Sequence, residues 1–168
     1  DFLTNYGYVA FLKTSGNKGL HLFIPIEPSQ PYDTAMEVLK NLTQEFVNLH
    51  KEICTLNVRK NQRLEKIFVD IQRNHASQTI IAPYSLRGKP GAPVSMPIDW
   101  KTLNDLKSSK EFNIHNTIEK LSQYGDPWDG FFTKAVLLHP YRPLIPAEPS
   151  INPKGNKHKS PEQLASYE

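Results

Sequence analysis

One short segment of this sequence combines residue types that can bind a phosphorylated substrate. It is the turn at residues 15–19 (SGNKG) together with His21 in the strand that follows. Glycine lets backbone N–H groups crowd one side of a turn, and such nests favour anions. Lys18 adds a point charge, Ser15 a hydroxyl donor and His21 an imidazole, a donor set suited to a triphosphate. The alternative is an ordinary polar hairpin tip, since the GK[ST] end and the following helix of a Walker A loop are missing.

A second segment, residues 66–72 (KIFVDIQ), places Asp70 in the middle of an apolar strand pattern. A carboxylate with such neighbours must be solvated, paired or bound to a metal. Mg²⁺ and Mn²⁺ prefer carboxylates together with phosphate oxygens, so Asp70 is a candidate ligand. An aspartate on the solvent side of a sheet is an equally good interpretation. Zinc is not predicted, because one Cys and six scattered His give no C-x-x-C or H-x-x-x-H spacing.

Basic residues flank both strands of this region. Arg59, Lys60 and Arg63 precede residues 66–72, and Arg87 and Lys89 follow the strand candidate TIIAPYS. Ammonium and guanidinium groups at these places can meet phosphate. A solvated charged surface is the alternative, and the net charge of +3 permits a nucleic-acid partner without requiring one.

The composition limits the class of protein. A chain of 168 residues makes one ordinary domain. It has no run of 18 apolar residues and does not open with a secretory signal, so no membrane partner is predicted. The single cysteine, Cys54, is compatible with a reducing cytosol.

The secondary-structure pattern predicts two hairpins and one long helix before residue 90. Residues 8–13 and 20–26 alternate as strands, with His21 on the face opposite the leucines. Residues 34–53 have an apolar stripe with helical spacing and a capping box at Thr34 and Glu37, and this helix is predicted to cover the aliphatic side of the sheet. Residues 66–72 and 79–85 are predicted to form the second hairpin.

The second half of the chain reads differently. A Gly/Pro loop without regular structure is predicted over residues 87–97, followed by helices over about 100–106 and 113–124. Residues 140–168 are prolyl and polar, which indicates an extended or disordered tail. The predicted fold class is α+β, with an antiparallel or mixed sheet and helices packed on one face.

Four segments occur in a fixed order: TSGNKGLHLFIPI, IFVDIQRN, TIIAPYSLRGKPGAPVSMPIDW and YGDPW. In that order they resemble the polymerase domain of the DNA ligase D family of bacteria and archaea, within the archaeo-eukaryotic primase superfamily. The resemblance runs from about residue 2 to residue 128, and the combination is far more specific than any one motif. It implies a primase-like catalytic core.

The resemblance also implies an activity. Members carry out template-directed nucleotidyl transfer that extends or fills DNA ends in non-homologous end joining, using NTP or dNTP with Mn²⁺ or Mg²⁺. Ser15 and His21 match the second family motif, Ser-x-His in its generalised form, which contacts the triphosphate, and Gly16 and Lys18 lie in the same turn. Asp70 matches the acidic residue of the third motif, a ligand of the catalytic metals.

The resemblance also assigns roles to basic residues of this sequence. Arg87 matches the arginine of the A-P-Y-S-x-R run, a further triphosphate contact, and Arg63 matches a basic position that places the nucleotide or template. Arg73 stands where the family usually has glutamine. Arg59, Lys60, Arg73 and Lys89 are candidate nucleic-acid contacts. The implied partners are 5′-phosphorylated, primer-template DNA ends, a ligase module and Ku protein, in the cytoplasm with the nucleoid.

The family's first motif, an Asp-x-Asp pair ahead of the phosphate turn, does not occur in this sequence. Two-metal transfer needs several carboxylates. We therefore expect residues 1–139 to be the C-terminal part of a catalytic domain, and the 168-residue chain alone to lack robust polymerase activity. A catalytically silent DNA-end-binding module is the alternative, and a nucleotide-binding regulatory fragment is a third reading.

Overall fold

The computed structural model describes residues 1–143 of the chain. The predicted tail at residues 140–168 lies mostly outside the described residues. Within them, short helices and strands alternate, and the predicted α+β class is confirmed. No helix in residues 1–143 has the length and apolarity to cross a membrane. The elements are α1 (Phe2–Asn5), β1 (Phe11–Thr14), β2 (Leu20–Phe23), α2 (Tyr32–Leu49), β3 (Cys54–Thr55), β4 (Ile67–Phe68), β5 (Pro97–Ile98) and α3 (Thr117–Tyr124), with 3₁₀ turns at Lys60–Gln62, Gln72–Asn74, Trp100–Asp105 and Phe132–Lys134.

The central sheet has three antiparallel strands in the order β2-β1-β5. The first predicted hairpin is confirmed, with shorter strands than the sequence pattern suggested. Its register places His21 of β2 opposite Lys13 of β1. On the other side of β1, Leu12 faces Ile98 and Lys13 faces Pro97. β1 is therefore the centre of the sheet, and the turn at residues 15–19 extends directly from its end.

The face of β2 that is buried is the opposite of the one predicted. Leu20 and Leu22 are 37% and 53% exposed, whereas His21 and Phe23 on the other face are partly buried. The expectation that the long helix covers the leucines is wrong. That helix packs instead on the apolar residues that follow β2 and on the N-terminal segment. Alternation separates two faces of a strand, but it does not say which one faces the protein interior.

Helix α2 begins two residues earlier than predicted. Pro31 takes the N-cap position, and the first helical bond joins Ala35 N–H to the Pro31 carbonyl. The predicted capping box at Thr34 and Glu37 is therefore wrong, because the helix is already under way at these residues. The fixed φ of proline suits the residue that leads into a helix. The buried residues of α2 are Met36, Val38, Leu42, Thr43 and Val47.

The second predicted hairpin does not form. β4 pairs in parallel with β3, and Ile67 N–H donates to the Ile53 carbonyl over 2.8 Å. Residues 79–85 lie instead beside the segment that follows them: Tyr84 N–H donates to the Ser95 carbonyl, and Ser95 N–H to that of Ser85. The strand predicted over residues 66–72 shrinks to two residues, and its pairing with β3 ends at Val69, whose N–H donates to the Thr55 carbonyl over 2.9 Å.

The Gly/Pro segment at residues 87–97 is an exposed loop only in its first half. All six residues from Pro93 to Ile98 are buried, and the last two form β5. Their apolar side chains pack with Leu12 in a core that Leu121 of α3 covers. The prediction of an irregular loop up to residue 97 is wrong in this part. β5 is an edge strand, the place in a sheet that tolerates proline.

The YGDPW motif, residues 124–128, contacts the central sheet through its tryptophan. The Trp128 indole N–H donates to the Leu12 carbonyl over 2.9 Å, and its ring lies 5.1 Å from that of Phe23. The Tyr84 hydroxyl donates to the Asp126 carboxylate. Gly125 ends α3 with a φ of +76°, as its position after the helix predicts. Residues far apart in sequence thus meet at β1.

Candidate functional site

Ser15 organises the turn at residues 15–19. Its side chain is buried, and its Oγ accepts from Asn17 N–H and Gly19 N–H, both over 3.1 Å. Two of the turn's N–H groups are thus used internally, contrary to the expected nest that presents them to an anion. A hydroxyl has two acceptor sites and one hydrogen, so that hydrogen is the group Ser15 has left for a ligand. Lys18 at the tip is exposed.

Gly16 is where the turn meets the segment around Arg87. Its φ is +63°, and a Cβ built there would lie 2.7 Å from Arg87 Cγ and 3.2 Å from the Val94 carbonyl. Only glycine allows this approach together with the left-handed backbone. Arg87 is itself fixed at the backbone, where its N–H donates to the Pro93 carbonyl over 2.8 Å. The stem of the predicted triphosphate arginine is therefore held directly against the predicted phosphate turn.

His21 is partly buried, and its Nδ1 has no hydrogen-bond partner in the structure. Burial lowers the pKa of His21 to about 4, with smaller contributions from the positive charges of Lys13 and Arg87, while Asp70 acts in the opposite direction. The imidazole is neutral at pH 7. A buried polar atom that lacks a partner is costly, and such atoms mark places where a ligand completes the bonding.

Lys13 is a site residue that the sequence reasoning missed. It is fully buried, and its ammonium donates to the Ile81 carbonyl over 2.8 Å and to Ser95 Oγ over 2.5 Å. Burial, with a smaller contribution from the positive charge of Arg87, lowers the pKa of Lys13 to about 8. The signal available in the sequence is a cation at the end of an apolar strand pattern, residues 8–13 (YVAFLK).

Asp70 follows β4 and is exposed. One of its oxygens accepts from Gln72 N–H over 2.9 Å. With Gln72, Arg73, His75 and Gln78 it lines an open cleft of about 370 Å³. Residues 1–143 contain no cluster of three His, Cys, Asp or Glu side chains that would hold a metal. The described residues therefore supply one carboxylate for a divalent ion and do not complete a metal site on their own.

The other basic candidates have different surroundings. Arg63 is engaged in the fold, since its guanidinium donates to the carbonyls of Asn57 and Val58 and lies 3.8 Å from the Phe68 ring centre. Arg73 Nη1 donates to Gln78 in the cleft. The remaining three, Arg59, Lys60 and Lys89, have exposed side chains.

The charges acting on His21 show which predicted residues come together. Lys13, Arg87 and Asp70 all influence its imidazole, although Asp70 does not belong to the sheet that holds His21. His21 and Asp70 do not lie on neighbouring strands of one sheet, because β4 pairs with β3. Their elements belong to two separate sheets, and the charge of Asp70 still acts on the imidazole together with those of Lys13 and Arg87.

The neutral state of His21 gives a prediction for stability against pH. Its pKa is about 4 in the folded chain and 6.5 for the ordinary group, so the unfolded chain binds the proton first as the pH falls. We expect the free energy of unfolding to decrease between about pH 6.5 and pH 4. The share due to His21 is about 1–2 kcal/mol, reduced for its partial exposure to solvent. Urea unfolding of wild type and His21→Gln at pH 7 and pH 4.5 measures it.

His115→Gln is the matched control, since that histidine is exposed in a loop. It should lose as much stability on acidification as the wild type. His21→Gln should lose less, because glutamine does not take up a proton. Equal losses in all three proteins would contradict the assignment of a buried neutral imidazole.

Comparison with known proteins places this geometry in a family. The chain is 34% identical over 128 residues to the multifunctional non-homologous end joining protein LigD of Pseudomonas aeruginosa, covering 75% of this chain and 15% of that protein. It is 29% identical over 154 residues to the corresponding protein of Mycolicibacterium smegmatis, covering 90% and 20%. The bifunctional LigD of Bacillus subtilis is 28% identical over 131 residues, covering 77% and 21%. The chain thus spans at most about a fifth of the length of these relatives.

A solved structure is also similar, the polymerase domain from Mycobacterium tuberculosis ligase D in complex with DNA. It superposes with a TM-score of 0.72 at 32% identity, over 80% of this chain and 47% of that one. The family model described as LigD, primase-polymerase domain, matches residues 1–128. The resemblance inferred from the four ordered motifs is confirmed, and the chain belongs to the LigD primase-polymerase domain family.

Proposed function

We propose that residues 1–139 form the triphosphate-binding part of a nucleotidyltransferase that extends or fills DNA ends in non-homologous end joining. The observation that carries the proposal is the buried Nδ1 of His21, which has no hydrogen-bond partner and belongs to an imidazole on which the positive charges of Lys13 and Arg87 act. A polyphosphate supplies both of the things this site lacks, a hydrogen-bonding atom for the imidazole and negative charge for the cations.

Each residue then has a definite task toward the triphosphate. Arg87 offers a planar fork that binds two phosphate oxygens at once, and its stem is fixed by contact with Gly16. Ser15 donates its hydroxyl hydrogen, and exposed Lys18 contributes a mobile charge. The neutral His21 serves as a donor in the tautomer that carries its hydrogen on Nδ1. These groups hold the nucleotide still, which is a large part of what phosphoryl-transfer enzymes contribute.

Asp70 is proposed to be one ligand of a divalent ion, Mn²⁺ or Mg²⁺. A bound ion of this kind neutralises phosphate charge and polarises the phosphorus that is attacked. The Asp70 carboxylate suits this role because it is exposed and uses one oxygen for a single bond from Gln72 N–H. Its bond to the backbone of the following turn fixes the direction of the carboxylate toward the cleft.

DNA is the proposed second substrate. The solved relative is a complex with DNA, and it shares this fold. The exposed basic side chains of Arg59, Lys60, Arg73 and Lys89 are suited to phosphate contacts along a primer-template with a 5′-phosphate. We extend the proposal to a ligase module and Ku protein as partners, and to the cytoplasm and its nucleoid as the place of action.

Arg87→Met tests the phosphate site. Methionine keeps much of the stem that packs on Gly16 and removes the guanidinium. Hydrogen bonds to charged groups contribute about 1.5–3 kcal/mol, so we expect ATP to bind about 10- to 100-fold more weakly. Calorimetric titration of the 168-residue chain with ATP in excess MgCl₂ measures this, repeated with dATP to compare the two sugars.

Arg59→Met is the matched control, because Arg59 is exposed in the basic loop. It should leave ATP affinity unchanged and weaken the binding of a 5′-phosphorylated DNA end. Unchanged ATP affinity in Arg87→Met would contradict the assignment. Salt-dependent DNA binding by a wild-type chain that does not bind ATP would favour the DNA-end-binding module instead.

A further inference from the structure

Lys13 occupies an unusual position for a lysine. Its side chain is completely buried in the middle strand of the sheet, directly opposite His21. The ammonium reaches across to two segments that are distant in sequence, where it donates to the Ile81 carbonyl and to Ser95 Oγ. Ser95 in turn donates its hydroxyl to the Thr14 carbonyl over 2.8 Å. The amine is therefore the centre of a small network that joins β1 to residues 81 and 95.

The partners of this ammonium are neutral. They are a carbonyl, a hydroxyl and the face of the Phe23 ring, whose centre lies 5.6 Å from Nζ. The charge that acts most on Lys13 within residues 1–143 is that of Arg87, which is also positive. A buried cation without an opposite charge is costly to maintain. This arrangement is stabilised when a negative ligand sits near Lys13 and Arg87.

We propose that Lys13 is a positioning residue of the phosphate site: it aligns the turn, residue 81 and residue 95 from behind, and its positive charge is matched by the triphosphate bound in front. This inference rests on the proposed function, because it requires a polyphosphate ligand. Lys13 does not itself need to touch the nucleotide. Its charge acts through His21 and Arg87, the two groups that face the ligand.

A measurable consequence is proton uptake on nucleotide binding. Burial holds the pKa of Lys13 near 8, and a bound polyphosphate raises it, since an opposite charge favours the ammonium. ATP affinity therefore falls as the pH rises through about 8. The other titratable or charged groups that act at this position are His21, whose pKa of about 4 lies far below that range, and the side chains of Arg87 and Asp70.

The experiment is a calorimetric titration of the 168-residue chain with ATP in excess MgCl₂ at pH 7, 8 and 9, in two buffers of different ionisation enthalpy. For a group with a pKa of about 8, wild-type affinity should be about tenfold lower at pH 9 than at pH 7, with proton uptake at pH 8 and above. Lys13→Met fills the same space without a charge. It should bind about tenfold more weakly at pH 7, with affinity independent of pH and no proton uptake.

Lys101→Met is the control, since Lys101 is exposed on a 3₁₀ turn away from the site. It should behave as the wild type does. Ser95→Ala keeps the Lys13 amine and removes one of its hydrogen-bond acceptors. It should therefore shift the loss of ATP affinity to lower pH. This variant tests the inference if Lys13→Met does not fold. Wild-type binding that is independent of pH, without proton uptake, overturns the inference and leaves the proposed function intact. Absence of ATP binding by the wild type at every pH overturns both.

Discussion

In a full-length catalytic domain that includes these residues, Asp70→Asn abolishes nucleotide incorporation at a primer end. The expected loss of incorporation rate is on the order of 10³-fold. Asparagine has the same size and still offers an oxygen to Gln72 N–H, so the local turn is preserved. What disappears is the negative charge that a divalent ion requires. A labelled primer-template extended with NTP or dNTP in Mn²⁺ or Mg²⁺ gives the rate. The 168-residue chain itself should extend little in either form.

Asp105→Asn is a suitable control, because Asp105 is exposed on a 3₁₀ turn outside the cleft. It should extend the primer at the wild-type rate. Asp70→Asn should also retain affinity for a DNA end, which separates a chemical defect from a folding defect. Incorporation by Asp70→Asn at the wild-type rate would remove Asp70 from the proposed site.

Gly16→Ala is expected to have the largest effect on stability among the glycine variants, a loss of about 2–3 kcal/mol in the free energy of unfolding. The backbone at Gly16 is left-handed, and the added methyl group would lie 2.7 Å from Arg87 Cγ. Either the turn or the arginine must move. We therefore expect ATP affinity to fall at least tenfold as well, because a displaced guanidinium no longer meets the phosphates.

Two other glycines serve as controls that separate the cost of the left-handed backbone from the cost of the contact with Arg87. Gly7 has a φ of +78° with open space around it, so Gly7→Ala should show the backbone cost alone, about 1 kcal/mol. Gly19 lies in the same turn without a positive φ and also has open space, so Gly19→Ala should be close to neutral. Urea unfolding of the three variants tests the order. A Gly16→Ala protein as stable as Gly19→Ala would contradict the close contact with Arg87.

The parts of the fold predicted well are those fixed by neighbours in sequence. The first hairpin forms because its strands are joined by a five-residue turn with two glycines, and α3 ends at Gly125 because a left-handed residue stops it. Long-range pairing was less predictable. The strand pattern around Asp70 is real, but its partner, β3, has two residues and no distinctive pattern. The apolar pattern of residues 66–72 and 79–85 therefore predicts a hairpin, which the structure does not contain.

The same distinction applies to the site. The motifs name His21 and Arg87, and the charge of Arg87 acts on the His21 imidazole. Lys13 escaped notice because a lysine near a strand end is ordinarily solvated, and its burial depends on residues 81 and 95, far along the chain. The burial of residues 93–98 was equally hard to predict, because three prolines (90, 93 and 97) and two glycines (88 and 91) in this region suggest a loop. Burial is decided by what packs on a segment, and this information is spread over the whole chain.

The bond from the Trp128 indole to the Leu12 carbonyl links residues 116 positions apart, and it has a consequence for synthesis on the ribosome. The strand that carries the phosphate turn emerges early, but the residues that complete it, at positions 81, 95 and 128, are translated much later. Contacts of such long sequence separation slow folding. The surroundings of Lys13 and His21 are therefore complete only after nearly the entire matched region has left the exit tunnel, and until then the nascent polypeptide exposes the apolar residues of β1.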